Sequence, residues 1–246
     1  MNRIHILNGD ALADRFPDAI DGDRIVAREC LCDGPVSDRD GMEFWAVRAN
    51  FMASAYGIPV TEYMEQTPHE FNRILDASPP VEWYLWFEDD LFCQVNMWFV
   101  SALICRREAS ATAFLVRPEV HTRYGFAGVH ASNLRGLLHR RLELTPEVLS
   151  GLAACWQSYR RSDVDGLVSK LKAMLPEHPW LATSLKAVCG LPGEPKAILN
   201  RIRQANPSAS FPSILDQFSA QAPEYGFGDL QVKRLLDQDS RMRSSM

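Results

Sequence analysis

The chain has 246 residues, 46% of them hydrophobic and 23% charged, with a formal net charge of -5. That length buries a sizeable core without disulfide or metal staples, and the composition excludes disorder, coiled coil and collagen. The charge is uneven: residues 1–110 carry 19 Asp and Glu against 9 Arg and no Lys, whereas residues 111–246 carry 12 acids against 17 Lys and Arg.

In chain order, Arg3-Ile-His-Ile-Leu-Asn8 is a short apolar-rich run that stops at Gly9-Asp10, a strand entering a turn. Residues 11–16 read as a short helix with Asp10 as its cap. Residues 24–29 read as a second strand, followed by the turn-rich Cys30-Leu-Cys-Asp-Gly-Pro35. Helical spacing of apolar residues covers 44–56, with Gly57 as C-cap, and continues over 68–77 until Pro79-Pro80 breaks it. Residues 81–87 are nearly continuous in aromatic and β-branched residues, as in a central strand covered on both faces. That strand runs through Glu88-Asp-Asp90 into a helix over 91–105, and residues 111–116 make a fourth strand. Thr145-Pro146-Glu147 then starts a helical portion, with helices expected at about 146–161, 163–174, 178–188, 194–205 and 229–238. A short strand near Phe211 and a frayed tail over 241–246 complete the reading. The expected fold is α/β, an open, mostly parallel sheet with Rossmann-like layering followed by a helical C-terminal portion. Residues 1–140 form the α/β domain with the candidate site, and residues 141–246 the helical region.

No stretch reaches the roughly 20 apolar residues of a membrane span, and the first residues lack a signal-peptide core, so a cytoplasmic setting is expected. The six cysteines include one close pair, Cys30-x-Cys32, whose spacing fits neither a redox nor a zinc motif, so reduced, mostly buried thiols are expected. The acidic first part argues against nucleic-acid binding there and suits a cation or cationic ligand; the basic second part either meets an anion or packs against the first.

In an open parallel sheet, ligands bind beyond the carboxyl ends of the strands. Three strand ends carry acids here: Asn8-Gly9-Asp10, Glu29 with Asp33, and Glu88-Asp89-Asp90. Carboxylates gathered in one crevice must be protonated, paired or bridged by a cation, for which Mg²⁺ or Mn²⁺ on Asp10 and Asp90 is the natural candidate. The alternatives are structural: Asp10 and Asp90 as helix caps, and Arg28 and Arg48 as ion-pair partners. Neither G-x-G-x-x-G nor a P-loop occurs, and Gly9-Asp10-Ala11 has Ala where a hydrolase block has its serine. His5 is either a core histidine bonded to backbone or part of the crevice floor. The glycine-rich run Tyr124-Gly125-Phe126-Ala-Gly128-Val-His130 is a connection or a lid, with His121, Tyr124 and His130 as second-line site residues.

Several motifs in order resemble one family: His5-Ile-Leu-Asn-Gly-Asp10, Arg28-Glu29 with Asp33-Gly-Pro35, Arg48, and Leu85-Trp-Phe-Glu-Asp-Asp-Leu-Phe-Cys-Gln94. They are similar to those of the bacterial domain-of-unknown-function family DUF1835, over about residues 3–190. The resemblance brings no activity. It implies that Asn8, Gly9, Asp10, Arg28, Glu29, Gly34, Arg48, Glu88, Asp90 and Gln94 share one crevice. Ala11, Asp89 and Cys93 stand where the family pattern has Ser, His and Asp, a change that implies an altered substrate or lost catalysis.

The expected function is an enzyme of hydrolase or transferase type acting on a small polar, nucleotide- or phosphate-bearing metabolite. Asp10, Glu88 and Asp90 are its catalytic candidates; Asn8, Gly9, Arg28, Glu29, Gly34, Arg48 and Gln94 its ligand-binding ones. The alternative is a non-catalytic ligand-sensing or partner-binding protein.

Overall fold

The computed structural model describes residues 2–107, 112–191 and 193–244. Its strands are β1 (Asn2–Leu7), β2 (Asp23–Val26), β3 (Val81–Trp86), β4 (Thr112–Val116) and β5 (Leu142–Leu144). They form one sheet in the order β2-β1-β3-β4-β5. The first four are parallel, with Ile6 of β1 opposite Ile25 on one side and Leu85 on the other, and β5 is antiparallel to β4. The α/β class and the mostly parallel sheet are therefore as the sequence pattern implies. Ala111, the expected first residue of the fourth strand, lies outside the described residues, as do Ser245 and Met246 of the tail.

The helices are α1 (Asp10–Ala13), α2 (Met42–Tyr56), α3 (Val60–Asp76), α4 (Leu91–Cys105), α5 (Ala131–His139), α6 (Pro146–Arg160), α7 (Val164–Met174), α8 (Ala182–Gly190), α9 (Glu194–Ala205), α10 (Phe211–Gln221) and α11 (Asp229–Ser244). Side chains alternate across the pleat and so divide the core in two. Ile4, Ile6, Trp83, Leu85 and Leu115 join a large cluster with α2, α3, α4 and the later helices. Leu7, Tyr84, Trp86 and Val116 face Leu12, Phe16, Phe126, Leu134 and Leu137 on the other side. Coverage of both faces explains why β3 is apolar almost without interruption.

Helix α4 is buried at 13 of its 15 positions, which makes it a central core helix between sheet and α6. Its apolar run is therefore spent inside the protein, and among the described residues no helix is long and apolar enough to cross a membrane. Thr145 caps α6 by accepting from Val148 N at 3.4 Å, with Pro146 in the first turn, as expected.

Several boundaries differ from the sequence reading. Helix α3 starts at Val60 and passes through Pro68, because the stripe Tyr63, Thr67, Phe71 and Ile74 buries one face and outweighs the lost hydrogen bond. Strand β5 lies within the segment read as all-helical; at three residues it is too short to show alternation. Phe211 begins α10 instead of a strand, α5 was hidden behind the loop before it, and α11 continues to Ser244 where a frayed tail was expected.

The charge asymmetry is resolved internally. Arg117, Arg160 and Arg234 from the basic second part reach Asp89, Asp40 and Asp33 of the acidic first part. The same large hydrophobic cluster takes in the sheet, α4, α6 and the later helices.

Candidate functional site

The strand order places β2 on one side of β1 and β3 on the other, so the connections leaving β1 and β3 diverge and open a crevice at their carboxyl ends. Asn8 leaves β1 there, and Glu88-Asp89-Asp90 leave β3. Asp90 has extended backbone and caps α4, its Oδ1 accepting from Cys93 N at 2.9 Å. Glu88 Oε1 accepts from Phe126 N at 2.6 Å. Burial and the neighbouring Asp90 charge push the Glu88 carboxyl up to about 8, and burial raises Asp90 as well. The two carboxyls lie within 4.8 Å of each other, and each is held above its ordinary range. Burial, with the Asp90 and Glu88 charges, pushes the Cys93 thiol far up, so it is neutral and not a thiolate nucleophile. Asn8 Nδ2 donates to Cys93 Sγ at 2.8 Å, and Asn96 Nδ2 donates to Asn8 Oδ1 at 3.0 Å and to Glu29 O at 2.7 Å.

Two glycine turns press onto this pair. Gly125 has φ +47° and Gly226 has φ +64°; a methyl group on the first would overlap the Glu88 carboxylate, and on the second the Asp90 carboxylate. Only glycine fits both the backbone conformation and the close approach. Each sits in the tripeptide Tyr-Gly-Phe, at 124–126 and again at 225–227. Beside the pair lies a cavity of about 360 Å³, lined by Asn8, Glu88, Asp90 and Cys93. Its walls come from Thr122, Arg123 and Tyr124 after β4, and from α10 and the α10–α11 turn through Asp229.

The structure sorts the expected residues into three groups. Asn8, Glu88 and Asp90 meet at the cavity. Asp10 stands on the exposed flank of the β1 turn, where Arg28 donates to it at 2.6–2.9 Å. It makes no side-chain cap for α1, which begins after Gly9 at φ +88°. Glu29 and Arg48 form a fully buried pair, with Arg48 Nε and Nη2 each 2.9 Å from a Glu29 carboxylate oxygen. The remaining Arg48 N–H groups reach the carbonyls of Asp33 at 2.7 Å, Pro35 at 3.0 Å and Cys30 at 3.1 Å. All five donors of that guanidinium are used inside the protein, so the pair fixes the turn after β2. Gly34, at φ +80°, lets that turn pass over the Phe51 ring. Gln94 is buried and donates to Glu88 O at 2.7 Å, which holds the β3–α4 turn from beneath.

The second-line residues separate too. His5 is a core histidine: its Nε2 lies 3.1 Å from Asp21 O, its Nδ1 accepts from Trp86 Nε1 at 3.0 Å, and burial lowers its pKa. Tyr124 lines the cavity, His121 acts on Asp90 electrostatically, and His130 caps α5. The Gly125–Gly128 turn is an anchored connection, since Arg15 donates to the carbonyls of Phe126 and Ala127 at 3.3 Å. Of the six free thiols, Cys30, Cys93 and Cys155 are buried, Cys32 is half-buried, and Cys105 and Cys189 are exposed.

A cation would find its donors in Glu88, Asp90 and Cys93, whose ligand atoms lie within 4.8 Å of one another. Asp10 is tied to Arg28 instead. One sulfur among two oxygens departs from the all-oxygen set that Mg²⁺ or Mn²⁺ prefers. Asp89 and Cys93 have local roles: Asp89 is buried against Arg117, with Nε donating at 2.6 Å, and Cys93 takes the Asn8 bond. Sequence reasoning missed the walls contributed by Phe218, Phe227 and Asp229. The signal that could have found them is the second Tyr-Gly-Phe, a copy of the first about 100 residues on. No family model, curated protein or solved structure matches the chain.

Proposed function

We propose that the chain is an enzyme acting on a small polar metabolite in the crevice beyond β1 and β3, with Glu88 and Asp90 as its acid–base pair. The observation that carries this reading is a close pair of carboxyls at the sheet's topological switch, both raised by burial, lining a cavity of metabolite size. In such a pair one carboxyl can give a proton to a substrate while the other takes one from it, so the charge of the site is unchanged over the exchange. Asn8 orients a substrate polar group from the floor. A phosphate or other anionic group fits poorly beside these acids, and Arg123, the basic residue of the wall, is already paired with Asp216. Membership of the DUF1835 family and a cytoplasmic setting are part of the same proposal, supported by the motifs around Asn8 and Glu88 and by the six free thiols.

The test is a thermal-shift screen of the wild type, Glu88→Gln and Asp90→Asn against metabolites and Mg²⁺, Mn²⁺ and Zn²⁺, with hits carried into turnover assays. A ligand that raises the midpoint of the wild type alone and is converted by it supports the proposal. Hits that bind all three proteins equally sink it. The replacement of Ser, His and Asp in the family pattern by Ala11, Asp89 and Cys93 favours a second reading, a ligand sensor, which predicts binding without conversion.

A further inference from the structure

Five carboxylates among the described residues are buried: Glu29, Asp33, Asp89, Asp90 and Glu224. Four are neutralised within the protein, by Arg48, Arg234, Arg117 and Lys186 respectively. Asp90 is 3% exposed and lines the cavity, yet among the described residues neither it nor Glu88 forms an ion pair. His121 lies within electrostatic reach of Asp90 without pairing to it. Burying a carboxylate without a counter-charge is costly, and the other four buried acids among the described residues avoid it.

The rest of the cavity says what would supply that counter-charge. Phe92, Tyr124, Phe218, Phe227 and Asp229 line it; Arg123 already lies over the Tyr124 ring and Phe218 is fully buried, which leaves Phe92 and Phe227 as the rings open to a ligand. Arg123, the basic residue in the wall, is occupied by Asp216 at 2.8 Å. Aromatic faces beside an unneutralised acid are the two elements that recognise an organic cation.

We propose that the cavity takes an organic ammonium ion, with its nitrogen over the Glu88–Asp90 pair and its carbon body against the aromatic rings. This rests on the reading of the crevice as a substrate site and narrows it to an amine-bearing substrate class. A bare metal ion would leave most of the roughly 360 Å³ and all of the aromatic wall unused. A neutral ligand would make no ion pair with the two acids, which then keep their protons.

The experiment is calorimetric or NMR titration of the full chain with n-butylammonium and tetramethylammonium, against n-butanol and butyrate as size-matched neutral and anionic probes. Two variants accompany it. Asp90→Asn keeps the oxygen that caps α4, so the fold is retained while the charge is removed. Phe227→Leu keeps an apolar wall and removes a ring face. The proposal expects at least one ammonium probe to bind, roughly tenfold more weakly in Asp90→Asn. Phe227→Leu should weaken it about two- to fivefold. Butanol or butyrate binding as tightly as the ammonium probes, and losing affinity in Asp90→Asn, overturns the ligand class while the substrate site stands. Saturation by Zn²⁺ or Mn²⁺ with no response to either ammonium probe also overturns it. Silence from every probe overturns it too, and the metabolite screen then judges the site by itself.

Discussion

At the scale of single residues, two acids that the sequence reading placed in one crevice carry opposite consequences. Glu88 holds its proton up to about pH 8 because it is covered and lies beside Asp90. In the unfolded chain it releases that proton near its ordinary value of 4.5. Between those values the folded protein binds more protons than the unfolded one, so stability falls as pH rises. Glu88→Gln removes that slope. Denaturation at pH 5 and pH 8 should show the variant gaining about 3 kcal/mol on the wild type across the window. Equal slopes would mean that Glu88 titrates normally. The comparison holds the neighbours Asp89, Asp90, Cys93 and His121 in common. Glu29, by contrast, is held by Arg48 through two bonds of 2.9 Å. Truncating Arg48 to Ala strands a buried carboxylate and should cost about 3–5 kcal/mol in urea denaturation. Arg48→Lys should recover only part of this, since an ammonium cannot span five acceptors in a planar fork. The pairing of Arg48 was one of two options open in the sequence; what settles its role is that every donor finds a protein acceptor.

At the scale of elements, the site is made by the ends of helices and turns. Asp90 is both floor and N-cap, which ties the chemistry of the cavity to the start of α4. Asp90→Ala should therefore destabilise by about 1 kcal/mol more than Asp90→Asn, and chemical denaturation of the two variants measures the difference. Gly226→Ala forces a methyl into the Asp90 carboxylate at φ +64° and should cost roughly 1–3 kcal/mol. It should also weaken any cavity ligand, and a variant as stable as the wild type would show that the turn does not press on the acid. Asp90 as a cap was readable from an acid directly before an apolar helical run. Asp10 looked equivalent in the sequence, yet its carboxylate goes to Arg28, because α1 has only four residues and starts from a glycine in the left-handed region.

At the scale of the whole molecule, the helical portion is part of the cavity wall. The α10–α11 turn closes the cavity, and Arg234 reaches back to Asp33 beside the β2–α2 turn. One hydrophobic cluster spans the sheet and these helices. Thermal unfolding followed by far-UV circular dichroism and by tryptophan fluorescence should therefore give one coincident transition. Two separated transitions would mean that residues 1–140 and 141–246 fold as independent units.

The sequence by itself determined the α/β class, the places of the first four strands, the capped starts of α4 and α6, and the positions of Asn8, Glu88 and Asp90 after strand ends. Each of these is a local property: a run of apolar residues, a cap before a helix, an acid after a strand. Only the tertiary structure decided which acids meet. Strand order set Asp10 on a flank and Asp90 in the floor, internal pairing withdrew Glu29 and Arg48 from the crevice, and a turn more than 200 residues from β1 supplied the wall. Those outcomes depend on contacts between residues far apart in the chain, which no local pattern of residues records.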